Sequence, residues 1–183
     1  MNGRSAATAA LMLALSAPAL GAEMDWKTVD EALGRQGAMQ AGEVYKVSFP
    51  RSDLTVTVDG VPVKPALALG SWVAFSGSGE HATVMGDLVL TEDEVAPVME
   101  QLVQDGLAVT AVHNHILRAS PATVYMHIAG MGDPAKLGQV IHGALAKSQT
   151  PLEAAPTSSN QDVGLDTAAL ELALGQKKLW GER

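Results

Sequence analysis

The chain contains no cysteine, so no disulfide staples it and no lipid-attachment thiol follows its N-terminal apolar stretch. Aromatic residues make up only 4% of it, which leaves little surface for stacking on bases or sugars. Positive charge is also in deficit. Twelve Lys and Arg stand against 20 Asp and Glu, for a net charge of -8, and no basic cluster supplies a local exception, which argues against nucleic-acid binding. A nucleotide loop is missing as well, because Gly130-Met131-Gly132-Asp133 lacks the Gly-Lys-Ser or Gly-Lys-Thr of a phosphate cradle. No Ser, His and Asp fall in a spacing that nominates a catalytic triad. The apolar run at residues 6–15 is too short to span a bilayer, so no stable membrane insertion of the mature chain is expected.

That run instead belongs to an export pattern. Arg4 supplies the basic start, residues 6–15 the apolar segment, and Ala19-Leu20-Gly21 a small-x-small cleavage site before Ala22. Residues 1–21 therefore read as a signal peptide, and the mature protein as periplasmic or secreted. The remaining chain of about 160 residues can support one compact domain with a real core.

Apolar periodicity predicts a short amphipathic helix over 26–35, stopped at Gly34 or Gly37, then strands over 43–49 and 54–58. Asp59-Gly60 marks a turn, and Pro62 and Pro65 argue against a regular central strand after it. Further strands are expected over 71–75 and 82–90. Thr91 with Glu94 forms a capping box, and Val95, Val98, Met99, Leu102 and Val103 continue a helical stripe that belongs to the core. A strand over 107–117, a second around 125–128, and a helix from Asp133-Pro134 to about 146 follow. His142 on that last helix reads as solvent-exposed. The expected fold is an α+β two-layer domain over 22–147, with a mainly antiparallel sheet and helices on one face; a ferredoxin-like arrangement is one topology that satisfies it. Residues 148–164 read as a flexible linker. Residues 165–183 form a helical tail whose Ala168–Gln176 stretch resembles residues 29–36, as the start of an incomplete second copy would.

The chemistry concentrates in Val112-His113-Asn114-His115-Ile116 and Tyr125-Met126-His127-Ile128. On a strand, side chains alternate, so His113 and His115 share a face. A chain reversal through Ala119-Ser120-Pro121 that sets His113 opposite His127 and His115 opposite Tyr125 gathers the three imidazoles. The same register leaves Val112, Ile116, Val124, Met126 and Ile128 on the core side, whereas a slip by one residue would send His127 to the other face. Three neutral imidazoles suit zinc or another divalent transition metal. His81, Glu80, Asp87 and Glu43 are the candidates for a fourth ligand or a proton-transfer group. His81 and Asp87 lie on one strand about 20 Å apart, so both cannot serve. His81 is the one taken into the ligand set, while Asp87 reads more simply as a turn or helix-start carboxylate. Arg51 and Lys46 can attract an anion, although isolated basic residues beside strand turns are usually just solvated.

Residues 43–47, 49–54, 65–72, 85–90 and 110–117, together with Tyr125-Met126-His127 and Gly132-Asp133-Pro134, resemble the bacterial domain-of-unknown-function family 1259, the group that includes the LppY and LpqO lipoproteins. The resemblance covers about residues 26–146. It implies no activity. Members often look like two tandem copies, and many carry a lipid-attachment cysteine that this sequence lacks.

Three functional expectations follow. The first is an exported soluble metal-binding module whose partner is an unknown small molecule or envelope component. The second is a metal-dependent hydrolase with Glu80 or Glu43 as general base, and the third an envelope structural or interaction module without a metal. Export itself predicts that the envelope fraction holds a species beginning at Ala22. Mass measurement checks this, and an intact cytoplasmic chain beginning at Met1 would contradict it.

Overall fold

A computed structural model of the protein describes residues 24–79, 81–153 and 166–175. The leader and most of the linker lie outside these residues. Helix α1 (Trp26–Leu33) is followed by strands β1 (Ala38–Gln40), β2 (Val44–Pro50), β3 (Val56–Val58) and β4 (Val61–Val63), the short helix α2 (Pro65–Ala68), and strands β5 (Gly70–Ser78) and β6 (His81–Thr91). Then come α3 (Glu92–Gln104), β7 (Ala108–His113), β8 (Ala119–Ser120), β9 (Thr123–Gly132), α4 (Pro134–Leu145) and α5 (Thr167–Leu174). The main sheet runs β1-β2-β5-β6-β9-β7, with every neighbouring pair antiparallel.

The α+β class expected from the sequence is what the chain adopts. Val47, Phe49, Val73, Phe75, Val84, Leu88, Leu90, Met126 and Ile128 line one sheet face and pack on Val29, Leu33, Val98, Leu102, Ile141 and Leu145 of the helices. Strands β6, β9 and β7 with α3 make a split β-α-β unit, as a ferredoxin-like topology begins. The place beside β6 is filled by β5, which precedes it in the chain, so the full topology differs from that arrangement. Gly34 ends α1 in the left-handed conformation at φ 68°, a backbone state glycine adopts without steric cost. His142, expected to be exposed, is half-buried and sets its Nδ1 2.9 Å from the Leu33 carbonyl, tying α4 to the end of α1.

The opposite sheet face is not fully open. Residues 119–120, expected to turn a hairpin, instead pair as β8 with β3, and β4 completes a three-stranded sheet. That small sheet contributes Val56 to a second apolar cluster with Leu69, Val89 and Tyr125, covering one end of the face that carries the histidines.

Arg51 is wholly buried, which corrects its reading as a solvated anion-attracting residue. Its Nη1 donates to the Val89 carbonyl at 2.6 Å and to Glu94 Oε2 at 2.8 Å, while Nε and Nη2 hold Asp53. Glu94 also accepts from Thr91 N, closing the expected capping box, and from Gln149 N. The start of the expected linker is therefore docked. Thr150 is buried, Leu152 packs on the core, and Arg35 donates to the carbonyls of Pro151 and Glu153. By contrast, Leu170, Leu172 and Leu174 of α5 are exposed.

Burial alone would raise the Glu94 carboxyl, but donation from Arg51, Gln149 N and Thr91 N outweighs it and holds the group below the ordinary glutamate value. A depressed folded pKa contributes stability that is complete above the unfolded value, about 4.3, and is lost as pH falls through the folded one. Glu94→Gln should cost about 3 kcal/mol at neutral pH, the low end for breaking a buried pair because Asp53 still faces Arg51, and should flatten the stability loss below about pH 4. Denaturant melts across pH check both, and an unchanged acid slope would contradict the assignment. Truncation after Glu153 should leave the midpoint unchanged, whereas truncation before Gln149 should lower it.

Candidate metal centre

Three imidazoles meet on the sheet face turned from the helices. His127 lies in the middle of β9, where the alternation that buries Met126 and Ile128 points His127 and Tyr125 the other way. His113 reaches that face by a less regular route. Leu107 and Val109 pack in the helical core, so strict alternation along β7 would send His113 there too. The ladder is irregular between Val109 and Ala111, and a bulge there absorbs one residue and turns His113 outward.

The pairing also corrects the expected register. Tyr125 is opposite His113, and Ala111 is opposite His127. The shift from expectation is two residues, which preserves the faces. It arises because the connection out of β7 is no tight turn but a loop that leaves to form β8. His115 lies in that loop, exposed, yet its ring is stacked on Tyr125 at 3.9 Å between centroids and on His113 at 4.8 Å. One nitrogen from each of His113, His115 and His127 lies within 4.8 Å of the others. The Nε2 atoms of His113 and His127 are 3.2 Å apart. Without an ion, a neutral tautomer of one ring can donate an N-H to the other across that gap.

Asp87 adjoins them, directly opposite His127 on β6. Its Oδ1 lies 3.6 Å from His127 Nε2, beyond hydrogen-bonding range, and is buried without a hydrogen-bond partner among the described residues. A buried carboxylate oxygen left unpaired is costly, and a cation shared with the imidazoles would satisfy it. Asp87 is thus a mid-strand residue of the site and not a turn or helix-start carboxylate. Alternation along β6 puts Asp87 and His81 on one face, and the pairing of β6 with β9 is what selects Asp87 over the expected His81.

His81 lies at the far end of β6, exposed and paired with Ser78, six residues or roughly 20 Å from Asp87. It does not join the cluster. Glu43 is exposed in the turn before β2, with φ 58°, near the outer edge of the sheet and away from the imidazoles. Glu80 lies outside the described residues.

A cleft of about 550 Å³ opens beside the cluster, with Asp87, His115 and Tyr125 at one end and Lys46, Trp72 and the α2 segment lining the rest. The Tyr125 hydroxyl donates to the Ala68 carbonyl at 2.8 Å, fixing α2 as one wall. Burial, with Asp87 nearby, raises the Tyr125 phenol above its ordinary value, so it stays a neutral donor.

The family described as Domain of Unknown Function (DUF1259) matches residues 27–147, which include every member of this cluster, and the chain belongs to that family. No curated protein and no solved structure matches the chain. No helix among the described residues is long and apolar enough to cross a membrane.

Gly86 lets β6 run close under β5 beside Asp87: an added Cβ would come within 2.7 Å of the Trp72 carbonyl oxygen and 2.8 Å of Val73 Cγ1. Gly86→Ala should therefore destabilise the domain by about 1–3 kcal/mol. Denaturant unfolding checks this, and an unchanged midpoint would show that the strand moves freely there.

Proposed function

We propose that this member of the DUF1259 family is an exported envelope domain that binds one divalent transition metal ion, zinc foremost, through His113, His115 and His127 with Asp87 as fourth ligand. The observation that carries this reading is the convergence of three imidazole nitrogens within 4.8 Å on one face. The 3.2 Å between two of them is close to the roughly 3.4 Å edge of a tetrahedron with zinc-nitrogen bonds near 2.05 Å. Neutral nitrogen ligands with one carboxylate suit zinc and its neighbours better than calcium or magnesium, which prefer all-oxygen sites. The basic, apolar and small-residue order of residues 1–21 supports export to the periplasm or beyond.

A metal-dependent hydrolase is the second reading, and the cleft ending at Asp87 and His115 favours it. Its demand is specific. Among the described candidates Asp87 is the carboxylate beside the imidazoles, and it cannot ligate the ion and act as general base at the same time.

Calorimetric titration of metal-free mature protein with zinc near neutral pH tests the binding reading. One ion per domain is expected. His113→Ala and His127→Ala should each lose more than the roughly 10–100-fold typical of outer-shell groups, Asp87→Asn should weaken binding, and His81→Ala and His142→Ala should leave it unchanged. Absence of saturable binding in folded protein, or unchanged binding in the triple histidine variant, would leave the nonmetal envelope module in its place.

A further inference from the structure

The charges in the cleft are few and unevenly placed. In a protein of net charge -8, Lys46 is the only Lys or Arg among the described residues that line it. Lys46 stands on β2 on the same sheet face as the histidines, and its Nζ lies over the Trp72 ring, 4.9 Å from the centroid. Trp72 in turn is the cross-strand neighbour of Asp87. No ion pair to Lys46 occurs among the described residues. The ammonium therefore hangs over an aromatic wall that leads toward the metal ligands, with no carboxylate of the described residues paired to it.

The space suits a small molecule, since ligand sites span about 300–1,000 Å³ and this cleft holds about 550 Å³. Its walls alternate in character. Trp72, Pro65 and Leu67 offer apolar surface, and Leu67 is 47% exposed. At the inner end, a divalent ion held by three neutral imidazoles and one carboxylate would keep a single positive charge. Lys46 supplies a second at the outer end. A neutral ligand would answer neither, and a monoanion only one.

We infer that the cleft takes a small dicarboxylate with an apolar midsection, one carboxylate held by Lys46 and the other directed to the metal end beside Asp87 and His115. The assignment of the inner carboxylate rests on the metal reading above. The outer one rests on Lys46 and Trp72 alone.

The test titrates succinate, glutarate and adipate, with the monocarboxylate of equal chain length beside each, into zinc-loaded and metal-free full-length protein and into Lys46→Gln, with zinc content measured on every sample. In zinc-loaded wild-type protein one dicarboxylate should bind saturably and at least about tenfold tighter than its monocarboxylate, the worth of one charge-assisted hydrogen bond. Lys46→Gln should erase that preference while keeping full zinc content. Lack of any dicarboxylate preference, or its persistence in Lys46→Gln, would overturn the inference. A sample that takes up no zinc would reject the metal reading and with it the inner carboxylate, and the outer site is then decided alone: carboxylate binding that is lost in Lys46→Gln supports it, and binding that is absent or unchanged in Lys46→Gln overturns it.

Discussion

The structure turns on the position of β9 between β6 and β7. Its ladder with β6 runs unbroken from Ala82↔Gly132 to Thr91↔Thr123, and one face of that ladder is the floor of the helical core. A slip by one residue would lift Met126 and Ile128 out of the core and press His127 and Tyr125 into it. Each large apolar side chain so displaced forfeits about 1.5–3 kcal/mol, a large share of the 5–15 kcal/mol that holds a domain folded. The register is therefore set by the core, and the polar face inherits it. Asp87 meets His127 because Leu88 and Met126 must both be buried.

The second partner strand obeys the same core but needs an exception. Leu107 and Val109 face inward, as their neighbours beneath α3 require, and the irregularity before Ala111 reverses the alternation so that His113 faces outward. A bulge is tolerated more readily on an edge strand, and β7 is at the edge. The loop that follows then carries His115 onto Tyr125 before joining the small sheet. At this same end of the ladder, where Val89 is opposite Tyr125, the buried Arg51 gathers Asp53, Glu94 and the Val89 carbonyl. The small sheet and α2 consequently have a fixed seat over the polar face, and the cleft has walls.

Much of this was legible from residue types. Thr91 and Glu94 announced α3, Asp133-Pro134 announced α4, and alternation around Met126 gave the correct face for His127. Other features depend on long-range partners that local pattern cannot express. The bulge leaves no mark in Val109-Thr110-Ala111, and expected alternation put His113 on the right face while treating 107–117 as one regular strand. Arg51 looked solvated because its partner Glu94 is 43 residues away. The polar composition after Ser148 resembled a linker, yet the backbone there bonds to Glu94 and Arg35. The choice between His81 and Asp87 needed only the register of β6 against β9, which the sequence left open.

The central claim is that the core-determined register of β6, β9 and β7 builds one metal site. Diffraction from crystals of the zinc-loaded protein, with anomalous data collected at the zinc edge, tests it most directly. The account predicts one strong peak within about 2.0–2.2 Å of Nε2 of His113 and His127, a nitrogen of His115 and an Asp87 oxygen. A peak held instead by His81, His142 or surface carboxylates, with the three imidazoles bonded only to one another or to protein groups, would contradict it.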